Sequence, residues 1–240
     1  MNDAIKPLGA KAYGHIPHLP GSRMGPGDHK CHEGQARIAT ERTRDRHDRV
    51  IVTEKLDGSC CAIANIDSAL VTLGRAGWPA QSSPYEQHQL FASWVRSEYE
   101  RFEEFRLTMQ GYRIVGEWLA QAHGTRYDLT HPPFVPFDVI QTASNRRLPY
   151  DDFLSVIATT GLSVPYVISD YAATSIPFVL TVLGRNGYHG AIDQVEGAVW
   201  RVERKGVFDF ICKYVRPYKV DGCYLPEISG KDAVWNWRPL

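Results

Sequence analysis

A lysine amine attacks an electrophile only when neutral, and an ordinary lysine is protonated near pH 7. The string Glu54-Lys55-Leu56-Asp57-Gly58-Ser59 follows the β-branched run Val50-Ile51-Val52-Thr53, which places a lysine at the end of a buried strand. Cationic groups or a metal at the mouth of a pocket there would lower the proton affinity of Lys55. Gly58 permits a tight turn and the close approach of a phosphate. A surface Asp-Gly turn fits the same string, so it carries weight only in company. His29, Cys31 and His32 have zinc-ligand residue types, but no second ligand pair follows at finger-like spacing, and they read as a polar loop.

The company is ordered. After Lys55 come Gly74-Arg75-Ala76-Gly77, Val115-Gly116-Glu117-Trp118, Phe134-Val135-Pro136-Phe137-Asp138-Val139-Ile140, Val195-Glu196-Gly197-Ala198-Val199 and Phe210-Ile211-Cys212-Lys213-Tyr214. Taken together, these strings resemble the nucleotidyltransferase motifs of the covalent lysine-nucleotidyltransferase superfamily, the ATP-dependent ligases and RNA capping enzymes. The Glu-Trp and Phe-Asp forms look most like the RNA ligase branch, nearest to the bacteriophage type-2 group. The stretch Ile16 to Glu33 and the tail Pro217 to Trp237 also resemble bacterial and phage RNA ligases.

The resemblance implies a nucleotidyltransferase fold, ATP as AMP donor, Mg²⁺ or Mn²⁺, and RNA with 5′-phosphate and 3′-hydroxyl ends as partner. Lys55 would carry AMP. Glu54 would sit against adenine by side chain or backbone, and Phe137 would stack on the base. Arg75 and Glu117 would hold the ribose and neighbouring phosphate region. Asp57 would orient the site and bind metal or its water, and Glu196 is the foremost metal ligand. Lys213 would neutralise the α-phosphate as charge builds.

Two departures stand out. Relatives often carry two lysines one residue apart in the last motif, and here the first position is Ile211, leaving Lys213 alone or helped by Arg216 or Lys219. Too few residues follow Lys213 for an oligonucleotide-binding domain, so none is expected. The run Arg37, Arg42, Arg44, Arg46, Arg49, interleaved with acids, reads first as a solvated helix face; the functional alternative puts Arg42 and Arg46 on RNA phosphates. The same chemistry also fits a DNA ligase, a 5′-end adenylylating enzyme, AMP transfer to protein or a small molecule, or an inactive binding module. An end-healing kinase or phosphatase partner is not legible in the sequence.

The elements that must position these residues are those of an α+β chain of antiparallel sheets flanked by helices. Strands are expected at Val50–Thr53, Cys60–Ile66, Leu70–Gly74, Tyr112–Leu119, Phe134–Gln141, Val195–Val202 and Phe208–Val215. Helices are expected at Gly34–Asp45, Glu86–Met109, Asp151–Thr160 and Ser175–Leu183. In the second of these, Leu90, Phe91, Trp94, Val95, Phe102 and Phe105 recur at helical spacing and read as core. The expected organisation is one domain over 1–240, with a loop-rich extension at 1–49, a catalytic core at 50–216 and a tail at 217–240. The 27 basic and 27 acidic side chains balance, which argues against a protein that merely coats nucleic acid and requires any RNA grip to be local. An odd five cysteines implies reduced thiols, no run is long enough to span a bilayer, and the expected compartment is the cytoplasm.

Overall fold

A computed structural model describes residues 5–239. Among them are the strands β1 (Asp48–Lys55), β2 (Ser59–Ile66), β3 (Ala69–Gly74), β4 (Tyr112–Trp118), β5 (Phe134–Gln141), β6 (Val167–Ser169), β7 (Gly197–Arg204) and β8 (Val207–Val215). The helices are α1 (Glu33–Thr40), α2 (Glu86–Ser97), α3 (Glu103–Thr108), α4 (Tyr150–Ala158), α5 (Ile176–Leu183) and α6 (Pro226–Ser229). The fold is α+β, with two four-stranded antiparallel sheets ordered β6-β1-β7-β8 and β3-β2-β4-β5. No helix among the described residues is long and apolar enough to cross a membrane.

The chain forms two compact units. The first holds the described residues before His15 together with Ser59–Gln121 and His131–Val164, and contains the β3-β2-β4-β5 sheet. Its core is the expected aromatic stripe. Phe91 packs at 5.3 Å from Trp118 and 5.0 Å from Phe134, and Trp94 at 5.4 Å from Trp118, so α2 is seated on β4 and β5. The single helix expected over Glu86–Met109 is broken into α2, a 3-10 turn at Tyr99–Phe102 and α3. Those breaks still leave Phe102 and Phe105 buried with Phe91 and Trp94.

The second unit holds His15–Gly58, Ala122–Thr130 and the described residues from Pro165 on, and contains the β6-β1-β7-β8 sheet. Helix α1 stops at Thr40, short of the expected Asp45, and the residues beyond it form a loop tied by ion pairs. Ser175 caps α5 by accepting from the Phe178 N–H at 3.4 Å, and the helix closes at Gly184. Strand β6 and helix α6 were not expected; at three and four residues they are too short for a periodic signal. The loop-rich stretch before α1 lies along the open edge of β8: Lys213 N–H donates to Pro17 O at 2.9 Å and Leu19 N–H to Lys213 O at 2.8 Å. That covers backbone groups an edge strand would leave unpaired.

Candidate active site

Lys55 ends β1, where it pairs with Gly197 of β7, and Gly197 in turn pairs with Val215 of β8. Its Nζ lies 2.5 Å from a carboxylate oxygen of Glu196, the residue just before β7. Glu196 is buried, and burial pushes its carboxyl above the usual range while the Lys55 charge opposes the shift. Only glycine fits after it: Gly197 has φ 155°, and a Cβ there would stand 1.9 Å from Tyr214 O. The Glu-Gly pair is therefore a strand junction that delivers a carboxylate to Lys55. Lys213 pairs with Val199, and Val199 with Thr53, two residues before Lys55. Strand alternation then puts Lys55 and Lys213 on one face of the sheet.

Around Lys213 stand residues that sequence reasoning did not single out. Its Nζ lies 3.9 Å from Asp28, whose carboxylate is 3.1 Å from Nε2 of the buried His18. Burial, then the Lys213 charge, lowers the proton affinity of His18. Ile211 is on the same sheet face, opposite Arg201, whose guanidinium is bound to Glu203 at 2.8 Å. Arg216 turns away: its N–H donates to Glu196 O at 2.9 Å and its guanidinium to Gly184 O at 2.6 Å. It braces the Glu196 junction through backbone.

Asp57 and Lys219 differ from their expected roles. Oδ2 of Asp57 accepts from the Gly124 N–H and the Thr125 hydroxyl, both at 3.1 Å, and lies 3.2 Å from the Lys219 ammonium. Lys219 is buried and donates to Gly124 O at 2.7 Å, Gln194 O at 3.0 Å and the Thr125 hydroxyl. The Asp57 N–H donates to the Tyr127 hydroxyl at 3.0 Å. Oδ2 of Asp57 thus already meets three donors, and the Lys219 ammonium is spent on the Gly124 and Gln194 carbonyls, the Thr125 hydroxyl and Asp57. Both hold the Leu56–Gly58 turn. Glu196 does fit a magnesium-like ion, which binds through one or two carboxylates and keeps its waters. Among the described residues no three His, Cys, Asp or Glu side chains gather as a metal cage, and that includes His29, Cys31 and His32.

Glu54 lies on the sheet face opposite Lys55. Its carboxylate is buried and accepts from the Tyr188 N–H at 2.9 Å, and its own N–H donates to Tyr166 O at 2.9 Å. Burial pushes its pKa to about 7 from 4.5, with the Tyr188 bond opposing. Arg42 and Arg46 are exposed in the loop before β1, at the far end of that strand from Lys55.

Arg75, Glu117 and Phe137 belong to the first unit. The exposed Arg75 donates to Gly14 O at 3.0 Å, while its carbonyl accepts from the Ala12 and Tyr13 N–H groups. Glu117 is half-buried on β4, opposite Cys60, and its neighbour Trp118 is locked under α2. Phe137 is the extra residue of a β-bulge, since Pro136 pairs with Gly116 and Asp138 with Val115. Its half-buried ring meets the edge of Tyr13 at 5.1 Å. Tyr13 is fixed by Arg147, whose guanidinium reaches its hydroxyl at 2.6 Å and also binds the buried Asp138. Tyr13 and Arg147 carry no motif of their own; only the bulge and the ring contact reveal them.

The fold is shared with ATP-dependent RNA ligases among solved structures. An archaeal ATP-dependent RNA ligase superposes with a TM-score of 0.51 at 21% identity, over 70% of this chain and 42% of that one. A Naegleria gruberi RNA ligase mutant bound to ATP and manganese superposes with a TM-score of 0.54 at 14% identity, over 84% of this chain and 59% of that one. A second mutant of that enzyme, with AMP and manganese, gives 0.54 at 14% over 83% and 59%. The chain thus spans about half the length of these structures, and the likeness concerns the fold. No curated protein matches the chain. The RNA ligase family pattern matches residues 48–215, and the chain belongs to that family.

Proposed function

We propose that the protein is an ATP-dependent RNA ligase that carries AMP on Lys55. The observation that supports this most is the Lys55–Glu196 contact of 2.5 Å on the sheet face that also bears Lys213. The buried Glu196 carboxylate orients the Lys55 amine, which loses its proton to water before it attacks. The neutral amine then attacks the α-phosphorus of ATP, the bond to pyrophosphate breaks, and a lysyl-AMP phosphoramidate forms. AMP passes from Lys55 to an RNA 5′-phosphate. A 3′-hydroxyl attacks that phosphorus, and AMP leaves as the strand is sealed. Lys213 supplies a fixed positive charge beside the phosphorus centre. Phe137, braced by Tyr13, is the aromatic side chain that the motif resemblance assigns to adenine. Glu196 would hold a Mg²⁺ or Mn²⁺ ion, which would offset phosphate charge.

Incubation with α-labelled ATP and Mg²⁺ should leave one AMP on Lys55, released by RNA with a 5′-phosphate and 3′-hydroxyl. Lys55→Ala should abolish the label with the fold unchanged by circular dichroism. Full labelling of folded Lys55→Ala protein would refute the assignment, and preferential discharge onto nicked DNA would refute the RNA substrate.

A further inference from the structure

The loop before β1 and the turn between β7 and β8 form one surface, because Lys205 N–H donates to His47 O at 2.9 Å. Every carboxylate from Glu41 to Asp48 and from Glu203 to Asp209 is already engaged. Glu41 lies 3.7 Å from Arg37, Asp45 2.7 Å from Arg204, and Asp48 within 2.8 Å of Arg44 and 2.7 Å of Arg204. Asp209 binds Arg44, and Glu203 binds Arg201 at 2.8 Å. These pairs rigidify the loop and cancel one another. Arg42, Arg46 and Lys205 remain, all exposed and none in an ion pair. In a chain of zero net charge, this is a local positive surplus held on a fixed frame.

Its place is set by strand register. Asp48 pairs with Arg204 at this end of the sheet, and Lys55 with Gly197 at the other. Seven residues separate Asp48 from Lys55, about 23 Å at roughly 3.3 Å per residue. A rigid ligand could touch both ends at once, whereas a flexible strand would lose entropy in doing so. Single-stranded nucleic acid is usually held by aromatic stacking; residues 41–48 and 203–209 hold no Tyr or Trp, their one Phe, Phe208, is covered by the Arg201 guanidinium at 5.1 Å, and His47 is the one imidazole. Phosphate contacts without base readout suit a duplex backbone.

We propose that Arg42, Arg46 and Lys205 grip the phosphates of duplex RNA about seven base pairs from the end being joined, taking roughly 3.4 Å per step. The distance rests on reading Lys55 as the adenylylated residue; the grip itself does not. The test replaces all three with serine and uses the full chain. Fluorescence anisotropy with an RNA duplex of about fourteen base pairs, titrated with salt, should show the slope of log K against log salt fall by about 2–3, near 0.9 per lost contact. The KM for sealing a nicked duplex should rise for a flank of about fourteen base pairs and not for one of about five, beyond whose end the cations lie. Labelling of Lys55 by ATP alone should be unaffected. An unchanged salt slope, or an equal KM rise for both flanks, overturns the proposal. Wild-type protein that shows the slope but never labels Lys55 would overturn the ligase reading and leave the grip standing.

Discussion

Glu54 and Lys55 are chain neighbours with opposite fates, because successive strand residues point to opposite sheet faces. Lys55 is partly open to solvent, whereas Glu54 is sealed beneath Gly187, where a Cβ would stand 2.1 Å from its carboxylate. The raised Glu54 pKa has a definite sign. Between 4.5 and about 7 the unfolded chain has lost this proton and the folded chain keeps it, so stability is full below the unfolded value and falls as pH rises through the folded one. The loss is on the order of 3 kcal/mol. Glu54→Gln should therefore be more stable than wild type at pH 8 and similar at pH 5, by urea unfolding. A difference that does not change with pH would show that the carboxyl is ionised throughout.

At the scale of elements, the turn joining β1 to β2 is held by parts far away in sequence. Lys219 from the tail and Gly124-Thr125 from a connecting segment converge on Asp57. Removing one partner of a buried ion pair typically costs about 3–5 kcal/mol, since the other charge is stranded. Lys219→Met should lower stability by that order, and adding Asp57→Asn should restore much of it; a double-mutant cycle in urea measures the coupling. Additive losses would mean that the two side chains do not act as a pair. The motif spacing revealed the Lys55 turn but could not reveal this clamp, because Lys219 lies in no motif and its value depends on where the tail returns.

For the whole molecule, chain path matters more than segment boundaries. The chain passes between the two units at Gly14/His15, Gly58/Ser59, Gln121/Ala122, Thr130/His131 and Val164/Pro165. Neither unit is a continuous segment that could be cut out alone. Melting one unit would release segments whose ends are fixed in the other. We therefore expect one cooperative transition over the full chain, with tryptophan fluorescence and far-UV circular dichroism coincident in urea. Two separated transitions would make the units independent domains.

Periodicity was enough to read most strands and the aromatic core of the first unit, while the α+β class rested more on the family resemblance of the ordered motifs, which also pointed to Lys55, Glu117, Phe137, Glu196 and Lys213 as candidates. Those signals are local: alternation, helical repeat and motif spacing survive in the chain before it folds. Tertiary structure alone decided which charges are spent and which are offered. Asp57 and Lys219 neutralise each other, Arg216 turns to a backbone carbonyl, and Arg44 and Arg204 bind acids, while Arg42, Arg46 and Lys205 stay exposed. A side chain's charge is written in the sequence, but its partner is set by long-range register and by the desolvation that makes pairing obligatory in the interior.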